Sequence, residues 1–331
     1  MKVLITGAAG FVGTAVTKAL LRRGALCDRQ GAMRPIDDLV LADVVPMQAP
    51  SPARGVRVHV ETGDAGDPAF LRHLLGDGVD SVFHLAAWLT MDAEADFSQG
   101  LEVNVHGLMR LLELCRALPG APRLVFASSI AAFGGPLPKT VDDSVAQTPQ
   151  TSYGTHKAIA ELLINDYSRK GFIDGRALRL PVVMTRPGAS TPAVSDRIAA
   201  IVREPLLGRD TVCPLSADTR IPVASVQRVA GAFLALHDLP PVAFGHTRAM
   251  NLPSLTVSIG EIIAAVERAG RDRAPGRITV APDPVLQSVV DGWPSAFVSA
   301  RASRHGIGAD ASIDALVQAF LDDCASAPGV D

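Results

Sequence analysis

Along the first half of the chain, the spacing of apolar residues alternates between two patterns. Short runs that are apolar or β-branched at most positions occur at Lys2–Thr6, Leu39–Val44, Val56–Asp64, Ser81–Ala87, Arg123–Ser129 and Gly175–Val183. Each predicts a strand, and the near-continuous ones predict burial on both faces. Between them, apolar residues recur every three or four positions, predicting helices over Phe11–Arg23, Leu101–Leu118 and Gly154–Lys170. In the second helix Leu101, Val105, Leu108, Leu111, Leu112 and Cys115 fall on one face. Such strands, separated by helices, require a parallel sheet covered above and below. The expected fold class is α/β, a doubly wound parallel sheet of the Rossmann type.

The pattern loosens after about Pro181. "TRPGASTPAVSDR" is rich in turn formers, and "ADTRIPVASVQRVAGAFLALHDL" reads as a short strand followed by a helix. "AMNLPSLTVSIGEIIAAVERAG" gives a strand, Ser258 as a cap, and another helix. A smaller mixed α/β C-terminal lobe is expected. We assign 1–180 to the sheet domain and 181–224 with 246–331 to a substrate-binding lobe. Residues 225–245, around the helix near Val226–Leu236, return to the sheet domain.

Composition narrows the function classes. With 48% hydrophobic and 20% charged residues, the chain reads as a globular protein with an ample core. A formal net charge of -3 offers no field for nucleic acid or an anionic membrane. No apolar run reaches a membrane-spanning length, and "MKVLITGAAGFVG" is too short a run for a signal peptide. Cys27, Cys115, Cys213 and Cys324 are scattered without metal-binding spacing. A cytoplasmic protein with reduced thiols, no metal and a small-molecule substrate is expected.

The candidate chemistry begins at Gly7, Gly10 and Gly13, between the first strand and the first helix. Gly7 permits a tight turn, Gly10 lets backbone N–H groups approach a pyrophosphate, and Gly13 lets helix and strand pack closely. Asp43 closes the next apolar strand after an apparent insertion around "CDRQGAMRPIDD". A carboxylate there accepts from adenosine ribose hydroxyls and repels a 2′-phosphate, favouring NAD over NADP; a turn cap is the plainer role. Asp64 is placed either to meet adenine or to form a turn.

"SYGTHKAIAELL" then sets Tyr153 and Lys157 four residues apart at the head of a helix. With Gly7–Gly13, Asp43, Asp64, "HLAA" at His84–Ala87, Asn104 and Ser129 in the same order, the chain resembles the extended short-chain dehydrogenases/reductases. "GPLPKTVDDSVAQTPQTSYGTHKAIAELLINDYSRKGFIDGRALRLP", "REPLLG", "NLPSLTVSIGEII" and "GWP" at Gly292–Pro294 resemble the group within it that oxidises a four-carbon sugar acid of the D-erythronate type at C2.

The resemblance implies NAD as cofactor and Ser129, Tyr153 and Lys157 as the catalytic set. Tyr153 takes the hydroxyl proton, Lys157 favours the phenolate, and Ser129 holds the reacting oxygen. It further implies that NAD contacts Gly7, Gly10, Phe11, Val12, Gly13, Asp43, Asp64, Ala65, Leu85, Ala86, Ala87, Asn104, Tyr153, Lys157, Leu180, Val182 and Val183. Asn104 could assist a proton relay but reads more readily as a structural tie of helix to sheet, Ser128 as backbone support, His84 as a buried hydrogen-bonded histidine, and His156 as a surface residue. The substrate is expected against Trp88 and Ser129, its carboxylate gripped by Arg186 or Arg220. A homodimer paired through Leu101–Leu118 and Gly154–Lys170 follows from the resemblance alone.

Two stretches depart from the group: Trp88-Leu-Thr-Met91-Asp after "HLAA", and Ala189-Ser-Thr after "RPG". They point to a drier pocket. A dehydrogenase or carbonyl reductase for a bulkier, less polar alcohol or ketone is the first alternative, and a nucleotide-sugar epimerase or dehydratase the second.

Overall fold

The computed structural model describes residues 1–76, 78–184, 193–271 and 275–326. Among these, seven strands form one parallel sheet in the order Ala249–Asn251, Asp174–Leu180, Arg123–Ser129, Ser81–His84, Lys2–Thr6, Asp38–Asp43, Arg57–Thr62. One face is covered by Phe11–Arg23 and Val226–Asp238, which bury Val16, Leu20, Val229 and Phe233 against Val3, Ile5 and Leu39. On the other face Leu71, Leu74, Leu108, Leu111, Leu112, Ala160 and Ile164 pack on Leu4, Val82, Leu124 and Phe126. Both sides of every central strand are therefore dry, which is why those strands read as unbroken apolar runs.

The strand ends differ from the sequence reading in an instructive way. The expected Ser81–Ala87 and Val56–Asp64 strands stop at His84 and Thr62. The residues beyond leave the sheet at its carboxyl edge, where ligands of open α/β sheets bind. The expected Gly175–Val183 strand breaks at Pro181 into Asp174–Leu180 and Val182–Met184. Proline has no N–H to give a ladder, and at that point the chain changes sheets. Val182–Met184 pairs in parallel with Arg220–Ser225, which pairs antiparallel with Leu255–Ser258. This small sheet belongs to a second core formed by Met184, Ile198, Ile201, Ile221, Val257, Ile262, Leu316 and Phe320. Ala249–Asn251, placed with the lobe by sequence, is the edge strand of the main sheet. The insertion before Asp43 folds as a hairpin, Ala25–Cys27 against Met33–Pro35.

The expected Leu101–Leu118 helix is interrupted. Phe97–Leu101 runs into a wide π-turn, Glu102–His106, and then into Gly107–Ala117. Ser258 caps Ile259–Gly270 as expected, reciprocated by Glu261 in a capping box. Among the described residues, no helix is long and apolar enough to cross a membrane.

Candidate active site

A cleft of about 540 Å³ opens at the carboxyl ends of the parallel strands, by Lys2–Thr6 and Ser81–His84, where the strand order reverses. Gly7 leaves the first strand at φ +74°, and a Cβ there would lie 2.5 Å from the Ala86 nitrogen. A Cβ on Gly13 would lie 2.1 Å from the Gly7 carbonyl oxygen. Only glycine lets strand, turn and helix close this tightly. Gly10 is the N-cap of Phe11–Arg23, and no side chain caps that helix. Gly7, Gly10, Phe11, Val12 and Gly13 all line the cleft, so the positive end of the helix dipole faces it. This cradle fits a dinucleotide pyrophosphate.

Asp43 stands on the same wall. Its Oδ2 accepts from Ala9 N at 2.9 Å and its Oδ1 from Val45 N at 3.0 Å. The carboxylate is thus pinned to the glycine turn, and each oxygen keeps acceptor capacity for a ribose hydroxyl. Asp64 forms a turn, its Oδ1 accepting from Gly66 N at 2.7 Å, and it also lines the cleft beside Ala65. Leu85, Ala86, Ala87, Leu180, Val182 and Val183 complete this part of the wall.

Asn104 is a correction: it is not on the wall. Its Oδ1 accepts from Trp88 N at 2.8 Å and its Nδ2 donates to Trp88 O at 2.9 Å. The π-turn carries it to the loop after the Ser81–His84 strand, so it clasps backbone, the structural tie that the sequence also offered. His156 is a second correction. Expected on the surface, it is buried, with Nδ1 3.3 Å from Asn104 Nδ2 and its ring tilted against Phe97. Thr90–Ala95 and Phe97–Leu101 pack over this side of the helix, a covering that helical periodicity alone does not show.

The start of the Ser152–Arg169 helix is fixed from three sides. Thr151 Oγ1 accepts from Gly154 N at 3.1 Å, and Glu94 Oε1 accepts from Ser152 N at 2.6 Å. A Cβ on Gly154 would lie 1.9 Å from Ala131 O, so the helix rests directly on the turn that follows Ser129. This contact brings Tyr153 to Ser129. Ser129 Oγ accepts from Ala131 N at 3.1 Å and shares a hydrogen bond with Tyr153.

Burial pushes the Tyr153 phenol up to about 12, against the pull of a hydrogen bond with Ser129. Lys157 lies one turn further along, its Nζ 4.5 Å from the Phe126 ring centroid and 5.3 Å from that of Tyr153. Burial pushes Lys157 down to about 7, while Glu161 pulls it up. The sequence argument expects the ammonium to lower the phenol; in the folded chain burial raises it, and the opposing pull comes from Ser129. His84 is buried with Nδ1 2.7 Å from Thr6 Oγ1. Burial, then the charge of Lys157, hold it at about 3, so it is a neutral wall residue. Ser128 is paired in its strand opposite Arg179, and its Oγ also donates to the Glu161 carboxylate.

At the other end the wall is Trp88, Leu89, Thr90, Gln99, Val194, Ser195 and Trp293. Arg220 is not part of it. It begins its strand on the outside of the lobe, donating to Thr256 O at 3.2 Å and lying 3.6 Å from Glu261. Its strand approaches the cleft only further along, where Val223 pairs with Val182. Arg186 lies outside the described residues. Sequence reasoning missed Trp293 as a wall residue; its one signal was the "GWP" run.

Sheet, glycine cradle and strand-end acid define a dinucleotide-binding α/β enzyme class. A model described as the NAD dependent epimerase/dehydratase family matches residues 3–243. The chain belongs to that family, and NAD is its cofactor. It is 42% identical to the D-erythronate dehydrogenase of Cupriavidus necator, over 98% of each chain. It is 37% identical to the D-erythronate dehydrogenase of Haemophilus influenzae, over 97% of this chain and 99% of that one. Among solved structures, a nucleoside-diphosphate-sugar epimerase from Agrobacterium tumefaciens matches with a TM-score of 0.88 at 35% identity, covering 98% of this chain and 94% of that one. The resemblance read from the motifs is the one these comparisons find.

Proposed function

We propose that this chain is an NAD-dependent dehydrogenase that oxidises the C2 hydroxyl of D-erythronate, or of a closely related 2-hydroxy sugar acid, to the 2-oxo acid. The observation that carries the reading is the seating of Tyr153 and Lys157 against the Ser129 turn, on the wall shared with the glycine cradle. Full-length similarity to two D-erythronate dehydrogenases supports the substrate class.

NAD+, held by the Gly7–Gly13 cradle and Asp43, would supply the hydride acceptor for this oxidation. Tyr153 Oη takes the proton of the substrate hydroxyl as the C–H bond gives up its electron pair and C=O forms. Ser129 donates a hydrogen bond to that oxygen through the change, holding charge where it develops. Lys157, when protonated, stabilises the phenolate. Trp88, Leu89 and Trp293 give this end of the cleft an apolar lining. We assign the substrate carboxylate to Arg186, because it follows the Val182–Met184 strand that forms part of the wall. Arg186→Ala is expected to raise KM for hydroxy acids while leaving NAD affinity unchanged.

A cytoplasmic homodimer is the assembly we propose. Met109 and Leu162 are 42% and 68% exposed on the Gly107–Ala117 and Ser152–Arg169 helices, supporting a shared apolar face there. A monomer mass by light scattering would count against it.

The similarity to a nucleoside-diphosphate-sugar epimerase favours a second reading, epimerisation of a nucleotide sugar. One experiment separates them. Purified protein is mixed with NAD+ and D-erythronate, and reduced nicotinamide is followed by absorbance, with UDP-sugars and less polar alcohols and ketones in parallel. NAD+-dependent reduction with D-erythronate supports the dehydrogenase. Inertness toward all hydroxy acids, with tight UDP-sugar binding, overturns it.

A further inference from the structure

Behind the catalytic pair lies a buried charged cluster that the reaction as written does not use. Glu161 follows Lys157 by four residues, so Tyr153, Lys157 and Glu161 occupy one stripe of the Ser152–Arg169 helix. Lys157 and Glu161 are 3% and 6% exposed. The Glu161 carboxylate is held from three elements. Arg179, on the Asp174–Leu180 strand, donates from Nε at 2.9 and 3.1 Å to its two oxygens and from Nη2 at 2.7 Å. Gln147 Nε2 donates to it at 3.0 Å. Ser128, the residue before Ser129, donates from its hydroxyl. Arg179 is itself anchored, its Nη1 donating to Asn251 Oδ1 at 3.1 Å and its guanidinium lying over the Phe133 ring.

We propose that Glu161 is a positioning residue of the reaction, the clamped carboxylate that ties the helix carrying Tyr153 and Lys157 to the Ser128–Ser129 strand end and sets a negative charge one turn from Lys157. The proposal rests on the assignment of Tyr153 and Lys157 as the catalytic pair. Burial alone favours a neutral lysine, and Glu161 is the only group that opposes it, pulling the Lys157 pKa upward. The other groups facing Lys157 do not help. His84 and His156 are held neutral by burial, and Tyr153 is protonated in the protein alone. Arg179, facing Glu161 from the far side, fixes both carboxylate oxygens so that this charge stays behind Lys157.

The sign of the effect follows. With Glu161 uncharged, Lys157 loses its proton at lower pH, and a neutral Lys157 no longer favours the Tyr153 phenolate. The acidic limb of kcat/KM for NAD+-dependent oxidation therefore moves to higher pH. In Glu161→Gln the expected move is about one unit or more, a loss of about tenfold at a pH on that limb. A second readout needs no turnover. Lys2, Lys18, Lys139, Lys157 and Lys170 are all the lysines of the chain. The Lys157 Cε resonance can be assigned by its loss in Lys157→Arg and titrated by NMR in the cofactor-free protein. Its midpoint is expected to fall in Glu161→Gln.

Glu161→Gln strands a buried guanidinium, so the double variant Glu161→Gln/Arg179→Met guards against loss of folding. It removes both charges and is expected to raise the limb and lower the midpoint as the single variant does, by a smaller amount because the Arg179 cation is lost as well. A limb and midpoint that stay at wild-type pH in the folded variants, whatever the rate, overturn the proposal and leave the cluster purely structural. Failure of the underlying assignment looks different: Tyr153→Phe would then keep its turnover.

Discussion

The two ends of the cleft are built by different means. The cofactor end is centred on one short stretch, Gly7 to Gly13, whose shape is set by backbone contacts no side chain can make. The other end, where we place the substrate, is lined by Trp88, Gln99, Val194, Ser195 and Trp293. The first is rigid and exacting, because a single Cβ collides with backbone. The second is made of side chains that can be exchanged one at a time. Such a division lets one cofactor frame carry many substrates, and substitutions at each end should separate accordingly.

The largest effect is expected where the two ends meet. Tyr153→Phe removes the proton acceptor and should lower kcat by about 10²–10⁴-fold. NADH affinity, read by fluorescence titration, should change by less than about 0.5 kcal/mol. Retained turnover would remove Tyr153 from the mechanism and leave the cleft as a binding site.

Next comes the cofactor end. In Gly13→Ala the new Cβ must displace the Gly7 carbonyl, 2.1 Å away in the unrelaxed structure. Overpacking of this kind costs about 1–3 kcal/mol, expected as a lower Tm and weaker NAD binding. At saturating NAD+ and substrate, kcat should recover most of its value. A fall in kcat that saturation does not repair would show that the glycine turn also shapes the substrate end. Asp43→Asn is milder: it keeps a polar group but removes the charge that repels a 2′-phosphate. The preference for NAD+ over NADP+ should fall about tenfold, about 1.4 kcal/mol. An unchanged preference would reduce Asp43 to its bonds with Ala9 and Val45.

What the chain reveals in its order of residues follows the same division. The glycines, Asp43 and the Tyr153/Lys157 spacing were legible because each is a local pattern whose geometry follows from a strand, a turn or one helix. Pro181 did not announce a change of sheet, since the apolar run continues through Val182–Met184 into another core. His156 was misplaced because its cover, Thr90–Ala95 and Phe97–Leu101, comes from a remote segment. Arg220 is a candidate only because a substrate carboxylate needs a cation, and it sits at the solvent end of its strand beside Glu261. Trp293 follows the last turn of Pro284–Asp291 and meets the cleft only because the lobe folds back over the sheet edge.

Trp293 gives the smallest of these effects and the sharpest test of the division. It packs on the lobe core and lines the cleft, so it couples the lobe to the substrate without touching the glycine cradle. Trp293→Ala should raise KM for D-erythronate by a few-fold, about 0.5–1.5 kcal/mol of lost aromatic contact. The NAD+ dissociation constant should stay at its wild-type value. The chain has 2 Trp and both line the cleft, so in this variant Trp88 alone reports binding by fluorescence. NADH should still quench that emission. Relative kcat/KM should also shift toward longer 2-hydroxy acids, because removing the indole lengthens the substrate end. A change in NAD+ affinity as large as the change in KM would mean that the two ends move together, and that the lobe closes on cofactor and substrate as one.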